Sequence, residues 1–370
     1  MLVGVGLNGE GPTPSMLDEL DSLARSAGVE PVERIVCRRP RQDPALYIGA
    51  GKADEIAGLI EALGIDLVIF DNALSAVQQR NLNRLWNKPV YDRTELILAI
   101  FGQRARSHEG KLQVELASIE HQVSRLVRGW THLERQRGGV GLRGGPGEKQ
   151  IELDRRMLDA KARQLRARLD KLEKQRRTRR RARERSSVLK VSLVGYTNAG
   201  KSTLFNRLSG ARTYAADQLF ATLDTLTRRV RLPDGQEIVL SDTVGFVRDL
   251  PHQLIEAFKA TLDETADADL LLHVVDSSAA DRDEQIAQVE QVLREIGAAD
   301  VPLITVYNKI DAADRAAGVE TDSCGNIDRV WLSAATGEGL QPLLRVLAER
   351  RPRLLAPDNT TRATAHVEDA

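Results

Sequence analysis

The sequence has few cysteines and aromatic residues, and it contains no long hydrophobic run. Two cysteines, Cys37 and Cys324, are too few for a disulfide framework or a four-ligand zinc site, and the six histidines show no metal-ligand spacing. Aromatic residues make up 4% of the 370 residues, which argues against an extended base-stacking platform for single-stranded nucleic acid. The sequence therefore favours neither a metal-cluster protein nor a disulfide-rich scaffold.

The sequence also shows no pattern typical of a membrane-spanning helix or a signal peptide. The longest apolar runs, such as that from Leu96 to Phe101, fall far short of the roughly 20 residues that a membrane-spanning helix needs. The N-terminal residues lack the basic region of a signal peptide. We therefore expect a cytoplasmic protein without a membrane span, and loose membrane association stays open as an alternative.

The charge is balanced in total but unevenly distributed. The chain has 53 basic and 53 acidic residues, a formal net charge of zero. Between Arg155 and Arg185 it has 15 basic and four acidic residues, a local charge of +11, so the remainder sums to −11. A basic segment on an otherwise acidic chain is typical of a contact with a polyanion. The plainer interpretation is a solvated helix face.

The spacing of apolar residues predicts an α/β protein in several parts. Residues 1–107 alternate short apolar strands with amphipathic helices, as in an N-terminal α/β domain with a parallel sheet. Residues 108–187 have helical and heptad spacing on either side of a glycine-rich loop at 138–147, which predicts an antiparallel, coiled-coil-like helical hairpin. A second α/β pattern covers residues 188–352, and the polar residues 353–370 are expected to form a disordered tail.

The strongest motif is a phosphate-binding loop that follows an apolar strand and precedes an apolar helix. It matches the pattern G-x-x-x-x-G-K-[ST], in which backbone N–H groups and a helix N-terminus converge on phosphates. We expect the lysine to reach the β- and γ-phosphates as a catalytic group and the serine to ligate Mg²⁺. The nucleotide-binding residues of this loop are Gly195, Tyr196, Thr197, Asn198, Ala199, Gly200, Lys201 and Ser202.

Three weaker motifs follow in the order expected of a guanine-nucleotide site. Each comes at the end of an apolar strand, and an aspartate that accepts from guanine N1 and its 2-amine would reject adenine. The first has an acid suited to Mg²⁺ and a glycine suited to the γ-phosphate, the second reads the base, and the third offers a backbone N–H to guanine O6. Their residues are Asp242, Thr243, Val244 and Gly245; Asn308, Lys309, Ile310 and Asp311; and Ser333, Ala334 and Ala335.

These four motifs together resemble a translation-factor-type P-loop GTPase. That resemblance implies a switch threonine between the phosphate loop and Asp242, and Thr222 is preferred over Thr225 and Thr227. Thr222 is expected to ligate Mg²⁺ with Ser202 and to contribute to catalysis with Lys201. The nucleotide-binding stretch around it comprises Phe220, Ala221, Thr222, Leu223 and Asp224.

Several longer stretches resemble the HflX family of ribosome-associated GTPases. They are DRTELILAIFGQRA from Asp92, EGKLQVELA from Glu109, WTHLERQRGGVGLRGGPGE from Trp130, DRR from Asp154 and FATLD from Phe220. The sequence departs from the family pattern at RGGPG in the glycine-rich loop, at Lys149 and at Thr225. The resemblance implies a monomer that binds GTP and GDP, contacts the large (50S) ribosomal subunit and its rRNA, and splits or rescues stalled ribosomes under stress.

Two alternatives stay open beside this interpretation. One is a non-catalytic, GTP-dependent RNA-binding or ribosome-assembly factor, which would share the same nucleotide site. The other, a small-molecule kinase, is disfavoured because the residues from Asn308 to Asp311 select guanine. Phe246 stands where many GTPases have a water-orienting glutamine, so hydrolysis is expected to be slow without the ribosome. Asn198 resembles the asparagine of GTPases that recruit K⁺, which makes K⁺ a second, weaker cofactor expectation beside Mg²⁺.

Overall fold

The structure is a computed structural model, and it describes residues 1–8, 14–136, 146–183, 188–211, 219–322 and 327–354. Most of the predicted glycine-rich loop at 138–147 and of the predicted tail at 353–370 lies outside the described residues. Within these residues, no helix combines the length and the apolar character needed to cross a membrane.

The N-terminal residues form a parallel sheet with helices, as the alternating pattern predicts. In the sheet, four strands pair in the order β2-β1-β3-β4, and each pairing is parallel. The strands are β1 (Leu2–Leu7), β2 (Arg34–Arg39), β3 (Val68–Phe70) and β4 (Val90–Asp92), and the helices between and after them are α1 (Pro14–Ser26), α2 (Ala50–Leu63), α3 (Ala76–Trp86) and α4 (Arg93–Arg104).

The predicted helical hairpin is present as two long helices, α5 (His108–Gln136) and α6 (Pro146–Arg183). Their shared core is formed by Leu112, Leu116 and Ile119 of α5 and by Ala162 and Leu165 of α6. These residues recur at helical spacing, so one apolar stripe on each helix is removed from water. The leucines of the heptad repeat therefore pack as the sequence predicts.

The C-terminal residues form a second, larger sheet. Its seven strands pair in the order β10-β11-β9-β8-β5-β7-β6, and the pairings are parallel except at the two edges, where β10 and β6 are antiparallel. The strands are β5 (Leu189–Val194), β6 (Leu226–Arg231), β7 (Glu237–Asp242), β8 (Leu270–Asp276), β9 (Leu303–Asn308), β10 (Gly318–Thr321) and β11 (Ile327–Trp331), and the helices are α7 (Lys201–Ser209), α8 (His252–Ala257), α9 (Lys259–Ala266), α10 (Arg282–Glu295), α11 (Ile310–Ala313) and α12 (Leu340–Leu354).

The chain divides into two compact units that are not simple consecutive halves. Unit 1 comprises residues Met1–Arg177, Ala216–Asp224 and Asp249–Ala260, and unit 2 comprises Thr178–Ala215, Thr225–Arg248 and Thr261–Ala370. Two short segments of the C-terminal half are thus grouped with the N-terminal sheet and the hairpin. The finer division into three folded parts and a tail stays a prediction from the sequence.

Helix α5 is connected to its neighbours in unit 1 by a partly buried arginine. The Arg125 guanidinium donates to Glu95 Oε1 at 2.5 Å and to Gln79 Oε1 at 2.6 Å. Glu95 closes a capping box at the start of α4, in which Asp92 accepts from the Glu95 backbone N–H at 2.9 Å. Since α3, α4 and α5 all contribute to this network, the base of the hairpin is rigidly connected to the N-terminal sheet.

His273 is a buried histidine in the middle of β8, the strand that pairs with both β5 and β9. It is 2% exposed, and burial, with a smaller effect of the nearby Lys201 charge, lowers its pKa to about 4. Because its pKa is lower in the folded than in the unfolded state, protonation favours unfolding. The stability that neutral His273 supports is present above about pH 6.5 and is lost as the pH falls towards 4.

We expect His273→Gln to weaken the acid sensitivity of unit 2. Between pH 7 and pH 4.5 the wild-type free energy of unfolding should fall on the order of 2 kcal/mol more than that of the variant, from about 1.4 kcal/mol per unit of pKa shift. Urea unfolding at several pH values measures this. His108→Gln, which changes an exposed histidine, is the matched control, and equal pH dependence in all three proteins would contradict the prediction.

Candidate nucleotide-binding site

The predicted phosphate loop connects β5 to α7 in unit 2. β5 is almost wholly buried, and residues 195–200 turn from its carboxyl end into the first turn of α7. Gly195 has φ 148°, Asn198 has φ 61° and Gly200 has φ 92°, so the backbone of the loop takes a positive φ at three residues. The turn leads directly into the N-terminus of α7, and a glycine-containing turn before a helix N-terminus is the arrangement that binds phosphate.

Lys201 is buried at the start of α7, and its ammonium group already has hydrogen-bond partners within the loop. Lys201 Nζ donates to the carbonyl oxygens of Gly195 at 3.0 Å and of Tyr196 at 2.6 Å. Burial lowers its pKa to about 8, and the charge of Asp242 acts in the opposite direction. The side chain is therefore held within the loop, where the sequence places the contact to phosphate.

Ser202 and Asp242 are brought together from two elements. Ser202 Oγ donates to Asp242 Oδ2 at 2.7 Å, and the Asp242 side chain lies at the end of β7, fully buried. A hydroxyl and a carboxylate are hard oxygen donors of the kind that Mg²⁺ prefers. The residues present fit the magnesium site predicted from the sequence.

Gly245 lies against the phosphate loop with no room for a side chain. A Cβ at this position would be 2.8 Å from Thr197 Cγ2 and 3.0 Å from Lys201 Nζ. Any larger residue would displace the loop or the lysine. This close approach suits the predicted contact between the Gly245 backbone and a γ-phosphate.

The residues after Gly245 are tied to the start of the phosphate loop. Phe246 N–H donates to the Gly195 carbonyl at 3.1 Å, and Thr197 N–H donates to the Phe246 carbonyl at 2.7 Å. Arg248 N–H donates to the Tyr196 hydroxyl at 2.7 Å. The Tyr196 side chain therefore holds the segment after Gly245, a role that the motif alone does not reveal because this position is variable in the G-x-x-x-x-G-K-[ST] pattern.

Asn308 connects the phosphate loop to the Ser333–Ala335 loop. Its Nδ2 donates to the Ala199 carbonyl at 2.8 Å, and its Oδ1 accepts from the Ala334 N–H at 2.8 Å. A Cβ on Gly200 would be 2.1 Å from Asn308 Nδ2, so glycine is required there. Three of the four predicted motifs are thus held in register by one buried amide.

Two residues that were not predicted from the sequence also shape this site. Arg207, on α7, donates to the carbonyl oxygens of Ala334 and Ala335, which fixes the third motif to the phosphate-loop helix. Asp276, at the end of β8, forms an ion pair with Lys309 at 2.7 Å. Asp276 could have been predicted from the sequence, because it lies at the end of an apolar strand as the other site residues do. Asp311, the predicted guanine reader, is exposed.

The predicted switch stretch is placed in unit 1. Phe220 and Thr222 are buried there, and the Asp224 carboxylate accepts hydrogen bonds from the residues that precede α5. Their expected contacts with nucleotide and Mg²⁺ stay predictions. The structure brings together the other predicted residues, from the phosphate loop to Ala335, within unit 2.

Family models match most of the chain in three consecutive parts. They are described as GTP-binding GTPase N-terminal at residues 14–102, GTP-binding GTPase Middle Region at residues 104–183, and 50S ribosome-binding GTPase at residues 190–309. The third match covers the phosphate loop and the motif that begins at Asp242, and it ends within the motif at Asn308.

Curated relatives decide the family. The GTPase HflX of Escherichia coli K12 is 55% identical over 335 residues, which cover 90% of this chain and 78% of that protein. The chain belongs to the HflX GTPase family. The HflX of Magnetococcus marinus is 51% identical over 332 residues, covering 90% of this chain and 77% of that protein.

A solved structure shares the fold. It is described as the complex of SsGBP with GDP, and it matches with a TM-score of 0.52 and 22% identity over 96% of this chain and 99% of that one. At this identity the match concerns the fold alone.

Membership of the HflX family identifies the chain as a GTP hydrolase, so the motifs described above belong to a GTPase site.

Guanine selectivity is expected to reside in Asp311. Asp311→Asn should weaken GTP binding and improve binding of xanthosine triphosphate, because the 2-oxo group of xanthine needs a donor where guanine's 2-amine needs an acceptor. Competition binding with both nucleotides measures the change. Asp314→Asn, an exposed neighbour, is the control, and an unchanged preference in Asp311→Asn would show that this carboxylate does not read the base.

Proposed function

We propose that this HflX GTPase binds the 50S ribosomal subunit and uses GTP to split or rescue stalled ribosomes under stress. The observation that carries the proposal is the combination, in one chain, of a guanine-nucleotide site with a long basic helix at its hairpin. The description of the matching family model as a 50S ribosome-binding GTPase supports the same partner. The protein would act as a cytoplasmic monomer.

The nucleotide site would supply the chemistry of GTP hydrolysis. Lys201 would neutralise charge on the β- and γ-phosphates, and the Gly245 N–H would contact the γ-phosphate. Ser202 and Thr222 would hold Mg²⁺, which shields the phosphate charge when it is bound, and Asp242 would orient that site. Asn308, Lys309, Asp311 and the Ser333–Ala335 loop would bind the guanine.

The hairpin would supply the contact with rRNA. Helix α6 is 38 residues long, and its C-terminal part carries the arginine-rich stretch from Arg176 to Arg183. Basic side chains that neutralise phosphates release counterions, so such binding is strong at low salt and weakens as salt rises. Since this stretch contains no aromatic residue, recognition would rest on phosphate and shape rather than on base stacking.

The decisive experiment uses light scattering to monitor the dissociation of 70S ribosomes. We expect the protein loaded with GTP or a non-hydrolysable GTP analogue to dissociate 70S particles, and the GDP-loaded protein not to do so. A variant with four of the arginines between Arg176 and Arg181 changed to glutamine should bind 50S more weakly and with a lower slope of log affinity against log salt.

The control variant for this experiment carries its substitutions outside the basic segment. Replacing Arg228 and Arg229, two exposed residues of the edge strand β6, removes charge outside the hairpin and should leave the salt slope unchanged. Stable 50S binding without any dissociation of 70S particles would favour a GTP-dependent assembly factor. No nucleotide-dependent binding to either particle would refute the proposed function.

Hydrolysis is expected to be slow alone and to be accelerated by the 50S subunit. Phe246 is 1% exposed, carries no group that can orient water, and has its backbone tied to the phosphate loop. Single-turnover hydrolysis with and without 50S subunits measures the effect, and the same assay in K⁺ and in Na⁺ tests the expected role of Asn198. A fast basal rate that 50S leaves unchanged would contradict the prediction, because the site would then be complete without its partner.

A further inference from the structure

A carboxylate from the predicted switch stretch caps the first helix of the hairpin. Asp224 Oδ2 accepts from the backbone N–H groups of Arg106 at 3.1 Å and Ser107 at 2.9 Å, and Asp224 Oδ1 accepts from Ser107 Oγ at 2.5 Å. The same hydroxyl accepts from the Gly110 N–H at 2.8 Å. A negative charge at a helix N-terminus, received by several N–H donors, forms strong charge-assisted hydrogen bonds.

Gly110 is the residue that leaves space for this carboxylate. A Cβ at Gly110 would be 2.5 Å from Asp224 Oδ1 and 3.0 Å from Ser107 Oγ. Gly110 lies in the first turn of α5, where alanine would otherwise be favoured by helix propensity. The glycine therefore costs helix stability and makes the approach of Asp224 possible.

A second contact, made by aromatic rings, holds the same segment in unit 1. Phe220 has φ 56° and is 2% exposed, and its ring packs edge-to-face on Phe101 of α4 with centroids 4.6 Å apart. Phe258, the residue after α8, also packs edge-to-face on Phe101, with centroids 5.2 Å apart. The Leu219 N–H donates to Ser26 Oγ at 3.0 Å.

The segment after Gly245 also reaches the hairpin. Helix α8 packs against α5 within unit 1. The chain passes from unit 1 to unit 2 between Asp224 and Thr225, and it returns to unit 1 between Arg248 and Asp249. Both segments that a γ-phosphate would rearrange are thus continuous with residues packed on the base of α5.

We propose that Asp224 is a positioning residue that couples the nucleotide state to the hairpin through the first turn of α5. The proposal rests on the proposed function and adds the path of regulation. Any nucleotide-dependent movement of Thr222, two residues away in the chain, is transmitted to Asp224 and from there to Ser107 and Gly110. By reciprocity, a ribosomal subunit that holds α5 changes the affinity of the site for GTP relative to GDP.

Gly110→Ala tests this coupling without a substitution at any residue of the nucleotide site. The measurement is the ratio of 50S affinities with a non-hydrolysable GTP analogue and with GDP, obtained by sedimentation. We expect this ratio to fall at least about fivefold towards one, which is the lower end of typical coupling strengths. Ser107→Ala, which removes the shared hydroxyl, should act in the same direction.

Gly102→Ala is the matched control, because it adds the same methyl group to the neighbouring helix α4 with Val114 Cγ1 4.0 Å away as its nearest contact. It should keep the wild-type ratio. A wild-type ratio in both Gly110→Ala and Ser107→Ala would overturn the proposal while leaving the proposed function standing. If the 50S affinity of the wild-type protein were the same with GTP analogue and with GDP, both the coupling proposal and the proposed function would be wrong. The measurement on the wild-type protein therefore distinguishes failure of the coupling proposal from failure of the proposed function.

Discussion

The hydrogen bonds of the Asn308 side chain are the constraint on which the nucleotide site depends. One amide joins the phosphate loop, through the Ala199 carbonyl, to the guanine-side loop, through the Ala334 N–H. It is 2% exposed, so both bonds are made away from water and losing either would leave a buried polar group unsatisfied. The distance between the phosphate and base subsites is therefore set by the protein before any nucleotide enters.

The same principle of preorganisation extends to the other side of the phosphate loop. Gly245 and Phe246 lie against Thr197 and Gly195, and the Tyr196 hydroxyl holds the Arg248 N–H. The segment that would sense the γ-phosphate is thus attached to the loop that binds it at several points. All of these bonds lie within unit 2, so residues of this unit hold residues 245–248 against the phosphate loop.

Much of the architecture was predictable because its signals are local. The strands of the first sheet and the helices α1 to α3 follow from alternating apolar patterns that end at residues such as Gly64, which closes α2 in the left-handed conformation. The four predicted motifs lie in unit 2, and each follows a strand of one sheet, as the parallel topology requires. Their contacts with nucleotide stay predictions.

The rest depends on contacts between residues far apart in the chain. No pattern around Asp224 shows that its carboxylate caps a helix that begins more than a hundred residues earlier, since an aspartate in a variable loop suits many roles. Gly110 carries a weak signal, a glycine inside a helical pattern, but its reason appears only with Asp224 beside it. Arg207 was missed, and the hydrogen bond of the Tyr196 hydroxyl to Arg248 was not predicted, because motifs record residue types and not the partners of side chains.

The hydrogen bonds of Lys201 to carbonyl oxygens of the phosphate loop have a consequence for the thermodynamics of nucleotide binding. The carbonyl oxygens of Gly195 and Tyr196 stand where phosphate oxygens would compete for the same ammonium group. Nucleotide entry then exchanges partners of the lysine rather than adding new hydrogen bonds, so its contribution to affinity comes from the difference in charge between a carbonyl and a phosphate. Replacing Lys201 by alanine would also remove one hydrogen-bond donor from each of these carbonyls, which would then keep only the N–H groups of Phe246 and Ala199. That substitution therefore measures two effects at once.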